Sequence, residues 1–302
     1  MGGNSIVIGG LAALMAAFSF ALWNVYLQRG LATGAPALLA LLPLALCEIV
    51  CFLPVALILA RRSALPPLAP RGVAWFFLAG VMTTVVGSYL ATHATRLIGA
   101  AETTAIRLLD PFFAFAIAAI FLHESIAPRA LVGIAVLAVA LLLLRGNARH
   151  APAARRGRER PLGLGLAVAT SLAFTVGSVI RKAGLLLVPS AIVAAACEGI
   201  AGTLVIAPIV VATVRREGLA DLTWARGRDL WLSGLAAAAG TFFLNIALQR
   251  VAVPVAVALR NLSPWFTLFL LPLLLGTQHR ATRATWWSTG LLTAGMLLIL
   301  SR

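Results

Sequence analysis

The chain has 302 residues, 61% of them hydrophobic and 11% charged, with a mean hydropathy of +1.00. Soluble domains carry about 25% charged residues, so too little ionic surface remains to cover a globule of this size. A soluble enzyme is excluded in favour of an integral membrane protein. The formal charge of +15 comes from 24 basic residues, all arginine except Lys182. They punctuate apolar runs one or two at a time, as topology-setting flanks do, and do not gather on a face or tail as in a nucleic-acid binder.

A spanning helix needs about 20 mostly apolar residues, and ten such runs follow one another. In the first half they cover residues 6–28, 36–60, 72–94, 98–122 and 128–144, and in the second 162–183, 189–213, 229–249, 252–275 and 285–301. They are continuous and rich in Leu and Ala, unlike the short alternating strands of a membrane barrel. The first run lacks a basic leader and an obvious small-residue cleavage site, which reads as a retained helix. Its end carries Trp23, Asn24, Tyr26 and Gln28, with Asn24 and Gln28 on one face. Cys47 and Cys51 lie in the second run and Cys197 in the seventh, with no CxxC spacing and no disulfide framework. His93 closes the third run as a candidate titrating group. Glu102 opens the fourth, where a carboxylate suits the helix dipole. No phosphate loop, metal-ligand spacing or nucleophile–base set is visible. The expectation is therefore no enzyme, no cofactor and no metal.

The two halves match at an offset of 153. Gly10-Leu11 aligns with Gly163-Leu164, Pro36 with Pro189 and Gly87 with Gly240. In the same register the run from Arg107 through Pro111 to Phe113 aligns with the run from Arg260 through Pro264 to Phe266. This divides the chain into a first repeat (1–145), an Arg-rich connecting loop (146–161) and a second repeat (162–302). Five helices per repeat is an odd number, so the second copy must be inverted, the architecture of secondary transporters with a midplane site at the repeat interface. The expected fold is an all-α membrane protein of ten transmembrane helices in two inverted five-helix repeats.

Several of these features together resemble the drug/metabolite transporter superfamily, and within it the EamA-type exporters. They are Leu22-Trp23 late in the first helix, the proline-centred fourth helix, and Phe121-Leu122-His123-Glu124 ahead of Gly133. The resemblance implies a ten-helix exporter of amino acids or other small metabolites in the plasma membrane, with cytoplasmic termini.

Ionisable groups at bilayer depth cost about 2.5–3.5 kcal/mol on insertion scales and mark functional sites. Five fall near the middle of expected spans: Glu48, Arg107, Asp110, Glu198 and Arg260. Cys47-Glu48 and Cys197-Glu198 align at an offset of 150. Arg107 and Asp110 are spaced i,i+3 and can pair on one helical face. Pro111 removes a backbone donor and frees the carbonyl near Arg107, kinking the helix, and Pro264 does the same near Arg260. Arg260 has Ser263 as its i+3 neighbour, which leaves Glu198 or Glu48 as its expected partner. If each arginine takes one carboxylate, a third is left over, able to take up a proton or meet a substrate ammonium. Arg107 and Arg260 would hold a substrate carboxylate. Alternatively, the five charges form a buried cluster that only ties the halves together. Trp265, Phe266 and Phe112 flank the prolines and either line the cavity or face lipid.

Flanking arginines and lysine number 8 on the N-terminal side, with Arg181 and Lys182 counted there, and 14 on the other, six of them in 145–161. The positive-inside rule alone would put the termini outside, against the resemblance. The reading is a secondary active transporter in the lipid bilayer, moving a small molecule such as an amino acid or related zwitterion, with protons as candidate coupling ion. The alternatives are a carrier for small organic or phosphorylated anions and a non-transporting membrane scaffold.

Overall fold

The structure is a computed structural model. It describes residues 3–32, 37–99, 102–103, 106–121, 132, 136, 139, 159–217, 224–275, 287, 290–291 and 293–295. Every regular element among them is helical. Six helices are long and apolar enough to cross a membrane: Val7–Ala32, Leu41–Arg61, Pro70–Ile98, Glu159–Leu187, Ala191–Thr213 and Gly227–Arg250. Most of the expected spans 128–144 and 285–301, the connecting loop up to residue 158, Pro36, Glu124 and Gly133 lie outside the described residues.

Helix α1 (Gly3–Ala32) is followed by a 3-10 turn at Ala37–Ala40 and α2 (Leu41–Arg61). The third span is composite. Helix α3 (Pro70–Gly80) starts with proline at a position where its missing N–H costs nothing. A π-helical stretch, Val81–Gly87, then leads into α4 (Ser88–Ile98). Within it Thr83 Oγ1 donates to the Ala79 carbonyl (2.8 Å), and Ser88 Oγ donates to that of Thr83 (3.0 Å). Gly99, with φ 84°, stops the span in a conformation that favours glycine, its N–H bonded to the Thr95 carbonyl.

The fourth expected span begins as a 3-10 turn, Arg107–Leu109, and becomes α5 (Asp110–Phe121). Then come α6 (Glu159–Leu187), α7 (Ala191–Glu217) and α8 (Trp224–Arg250). The ninth expected span is two helices, α9 (Val253–Arg260) and α10 (Ser263–Leu275), broken at Asn261–Leu262. Both proline-centred segments therefore break at the arginine that precedes the proline.

Helix α1 packs mainly on α8, the composite third span on α6, and α2 on α7. Missing side chains at glycines make these contacts close. A methyl group at Gly240 would meet the Phe20 ring at 2.9 Å, and one at Gly87 would meet the Phe174 ring at 3.2 Å. At the α2–α7 crossing, a methyl on Gly199 would lie 2.8 Å from Glu48 Cβ and 2.9 Å from the Ile49 nitrogen. Such small-residue seams substitute for the hydrophobic drive that helix association lacks in lipid.

The outer surface is apolar, with Leu57, Ile120, Phe121, Leu204 and Leu273 all more than half exposed. The interior holds hydroxyls, amides and charges: Glu48, Arg107, Asp110, Arg181, Glu198 and Arg260 are each at most 6% exposed. Apolar outside and ionic inside is the distribution of a bilayer protein.

Candidate functional site

The buried charges form two clusters and one isolated carboxylate. In the first cluster, Asp110 at the start of α5 is shared. Its Oδ2 accepts from Arg260 Nη2 and lies 3.8 Å from Arg107 Nη2, while Oδ1 accepts from Ser171 Oγ of α6. The expected i,i+3 pair between Arg107 and Asp110 is present, but the partner expected for Arg260 is corrected. It is Asp110, 150 positions earlier in the chain, and neither Glu198 nor Glu48.

The carbonyl of Arg107, deprived of its helical donor by Pro111, accepts from Asn261 Nδ2 at 3.0 Å. Both arginines lie over aromatic faces. Arg107 Cζ is 4.5 Å from the Phe174 ring centroid and 5.8 Å from that of Trp23, and Arg260 Cζ is 6.0 Å from that of Phe20. Such contacts lower the cost of burying a guanidinium.

The second cluster is a closed pair. Arg181 Nε and Nη2 donate to the two oxygens of Glu198 at 2.7 and 2.5 Å, and Nη2 also reaches Thr83 Oγ1 at 3.3 Å. Counting Arg181 among the flanking charges is thereby overturned: α6 runs on to Leu187, and Arg181 is 2% exposed. Among the described residues six buried charges stand where five were expected, and the basic count on the N-terminal side falls by one. Lys182 beside it donates to the carbonyls of Leu248 and Val251 at the end of α8.

Glu48 is 1% exposed and has no cation within ion-pair distance among the described residues. Thr84 Oγ1 donates to its Oε2 at 3.2 Å, and the Thr241 hydroxyl faces it from α8. The excess acid expected from the sequence is not found, since with Arg181 the described residues bury three arginines and three carboxylates; Glu48 stands without an ion pair because Arg107 and Arg260 share Asp110.

A small cavity joins these groups. Glu48, Thr84, Thr241 and Ser88 supply one polar wall, Arg260 and Arg181 the cationic groups, and Phe20, Trp23, Phe174, Leu44 and Leu244 an apolar lining. Of the residues singled out from sequence, Glu48, Arg260 and Trp23 line it. Asp110, shared with Arg107, holds Arg260 from behind, and Glu198 holds Arg181.

The other candidates sit elsewhere. His93 packs on Tyr89 in α4, ring centroids 4.4 Å apart. Trp265 donates from Nε1 to Thr293 Oγ1 at 2.6 Å and stacks on Phe269. Phe266 meets Phe18 edge-on. Asn24 is buried with no hydrogen-bond partner for Nδ2 among the described residues. Pro111 and Pro264 sit at the breaks they were expected to cause. Glu102, expected to face the helix dipole, pairs with Arg160 at 3.0 Å, and Arg29 pairs with Asp229 at 3.4 Å. Arg181 and the hydroxyls Thr84 and Thr241 were missed. A signal existed for Arg181, because the apolar run extends five residues beyond 183, to Val188.

Residues 7–146 match the EamA-like transporter family, in agreement with the drug/metabolite transporter resemblance and with a multi-pass membrane transporter of small molecules. No curated protein matches the chain. Among solved structures it is similar to one described as "Crystal structure of protein", with a TM-score of 0.66 at 18% identity over 99% of this chain and 96% of that one. At that identity the likeness concerns the fold alone.

Proposed function

We propose that the protein is a secondary active transporter that exports an amino acid or related zwitterion by alternating access around the central cavity. The observation that carries this reading is that Arg260 and Glu48 line one cavity, Glu48 having no ion-pair partner among the described residues. A zwitterion supplies both missing charges: its carboxylate meets Arg260, backed by Arg107, and its ammonium meets Glu48 and the hydroxyls of Thr84 and Thr241. The aromatic rings of Phe20, Trp23 and Phe174 accept the apolar part of the solute. When the cavity is empty, Glu48 returns with a proton instead, which makes protons the coupling ion. A dianion such as a sugar phosphate fits less well, since Glu48 repels its second charge. A scaffold needs neither a cavity nor an unpaired acid.

In this reading the bundle consists of ten spanning helices in two inverted halves, with the termini cytoplasmic in the plasma membrane. Reciprocal packing supports the halves: Gly87 on Phe174 mirrors Gly240 on Phe20, and Gly163 on Ile98 mirrors Gly9 on Val251. The export direction rests on the family resemblance.

The test is efflux from cells loaded with a panel of amino acids and organic anions, with Arg260→Gln and Glu48→Gln beside the wild type at matched membrane levels. Zwitterion efflux lost in both variants supports the reading. Unchanged efflux in properly inserted Arg260→Gln and Glu48→Gln overturns it.

A further inference from the structure

The cationic end of the cavity has a charge imbalance of its own. Arg107 and Arg260 share a single carboxylate, Asp110, so one positive charge is uncompensated within that cluster. The donors are also incompletely used. Nε of Arg107 and Nε of Arg260 are both buried with no hydrogen-bond partner among the described residues. Other acids do not repair this: Glu198 is fully engaged by Arg181, and Glu48 lies across the cavity on hydroxyl donors. Buried unpaired charge and unsatisfied guanidinium donors are both costly, and Arg260 faces the cavity, where a small ion can reach it.

We propose that Arg260 binds a small monovalent anion, of which chloride is the probe, whenever no solute carboxylate is there. The location rests on the transport reading above, but the binding itself needs no substrate. The anion sits against Arg260 with Arg107 behind it, satisfies the free donor and neutralises the cluster, and an arriving carboxylate displaces it. Chloride is then a competitor of the solute at this end. At a pH where Glu48 has released its proton, its charge opposes the anion through the same cavity, so Glu48→Gln binds the anion more tightly there.

The experiment uses the purified full chain in detergent at alkaline pH, where Glu48 is ionised, without amino acids. Chloride replaces sulfate, which is doubly charged and strongly hydrated, at constant ionic strength, and thermal unfolding is followed. A saturable rise in Tm is expected for wild type. It should vanish in Arg260→Gln, persist in the peripheral variant Arg29→Gln, and saturate at a several-fold lower chloride concentration in Glu48→Gln. No saturable response in the wild type, or an equal response in Arg260→Gln, overturns the proposal. Should Arg260→Gln fail to fold, the Glu48→Gln midpoint decides, and an unchanged or weakened midpoint overturns it. The two readings fail separately: chloride binding without zwitterion efflux leaves the anion site standing, and efflux without chloride binding leaves the transport reading standing.

Discussion

Glu198 in α7 and Glu48 in α2 are the same residue type, each following a cysteine, each at most 1% exposed, on helices that cross each other. One is held by both forks of Arg181, and the other faces a cavity with only hydroxyl donors. Burial alone does not separate a structural charge from a working one. The partner does.

Breaking the closed pair should have the largest effect. Glu198→Ala strands the Arg181 guanidinium in the bundle and should cost about 3–5 kcal/mol, seen as a collapse of folded yield and a lowered Tm. Removing both charges in Arg181→Met with Glu198→Leu should recover most of that loss, because a buried pair replaced by apolar groups is often close to neutral.

Next in size is the crossing that brings the two glutamates' helices together. Gly199→Val places methyls against Glu48 Cβ and the α2 backbone, an overpacking of about 1–3 kcal/mol, measurable by thermal unfolding. Smaller again, Trp265→Phe loses the indole bond to Thr293 and should cost about 1 kcal/mol while leaving transport intact, because Trp265 does not line the cavity. The smallest stability change belongs to Glu48→Gln. The amide oxygen still accepts from Thr84, so less than about 1 kcal/mol should be lost, yet transport should fall more than tenfold.

The six spans found among the described residues, and the breaks, were legible because they rest on local chemistry. Continuous apolar runs read as helices, and Pro111 and Pro264 announced where backbone donors go missing. The i,i+3 contact of Arg107 and Asp110 was legible for the same reason. The Asp110–Arg260 pair was not, since it joins residues 150 positions apart and no periodicity encodes it. Arg181 was misplaced because Arg181-Lys182 looks like a pair of flanking charges, whereas α6 continues past it to Leu187 and buries the first while Lys182 caps the end of α8. Which glutamate stands without an ion pair depends on that arginine, which the sequence count left out.

The central claim is that Glu48 meets the solute while Glu198 holds the bundle. It is tested most directly by amino-acid counterflow in proteoliposomes containing Glu48→Gln, beside wild type at equal folded protein and with unfolding curves recorded on the same samples. The account predicts an unfolding curve like that of wild type and counterflow lost by more than tenfold. Wild-type counterflow in Glu48→Gln would contradict it.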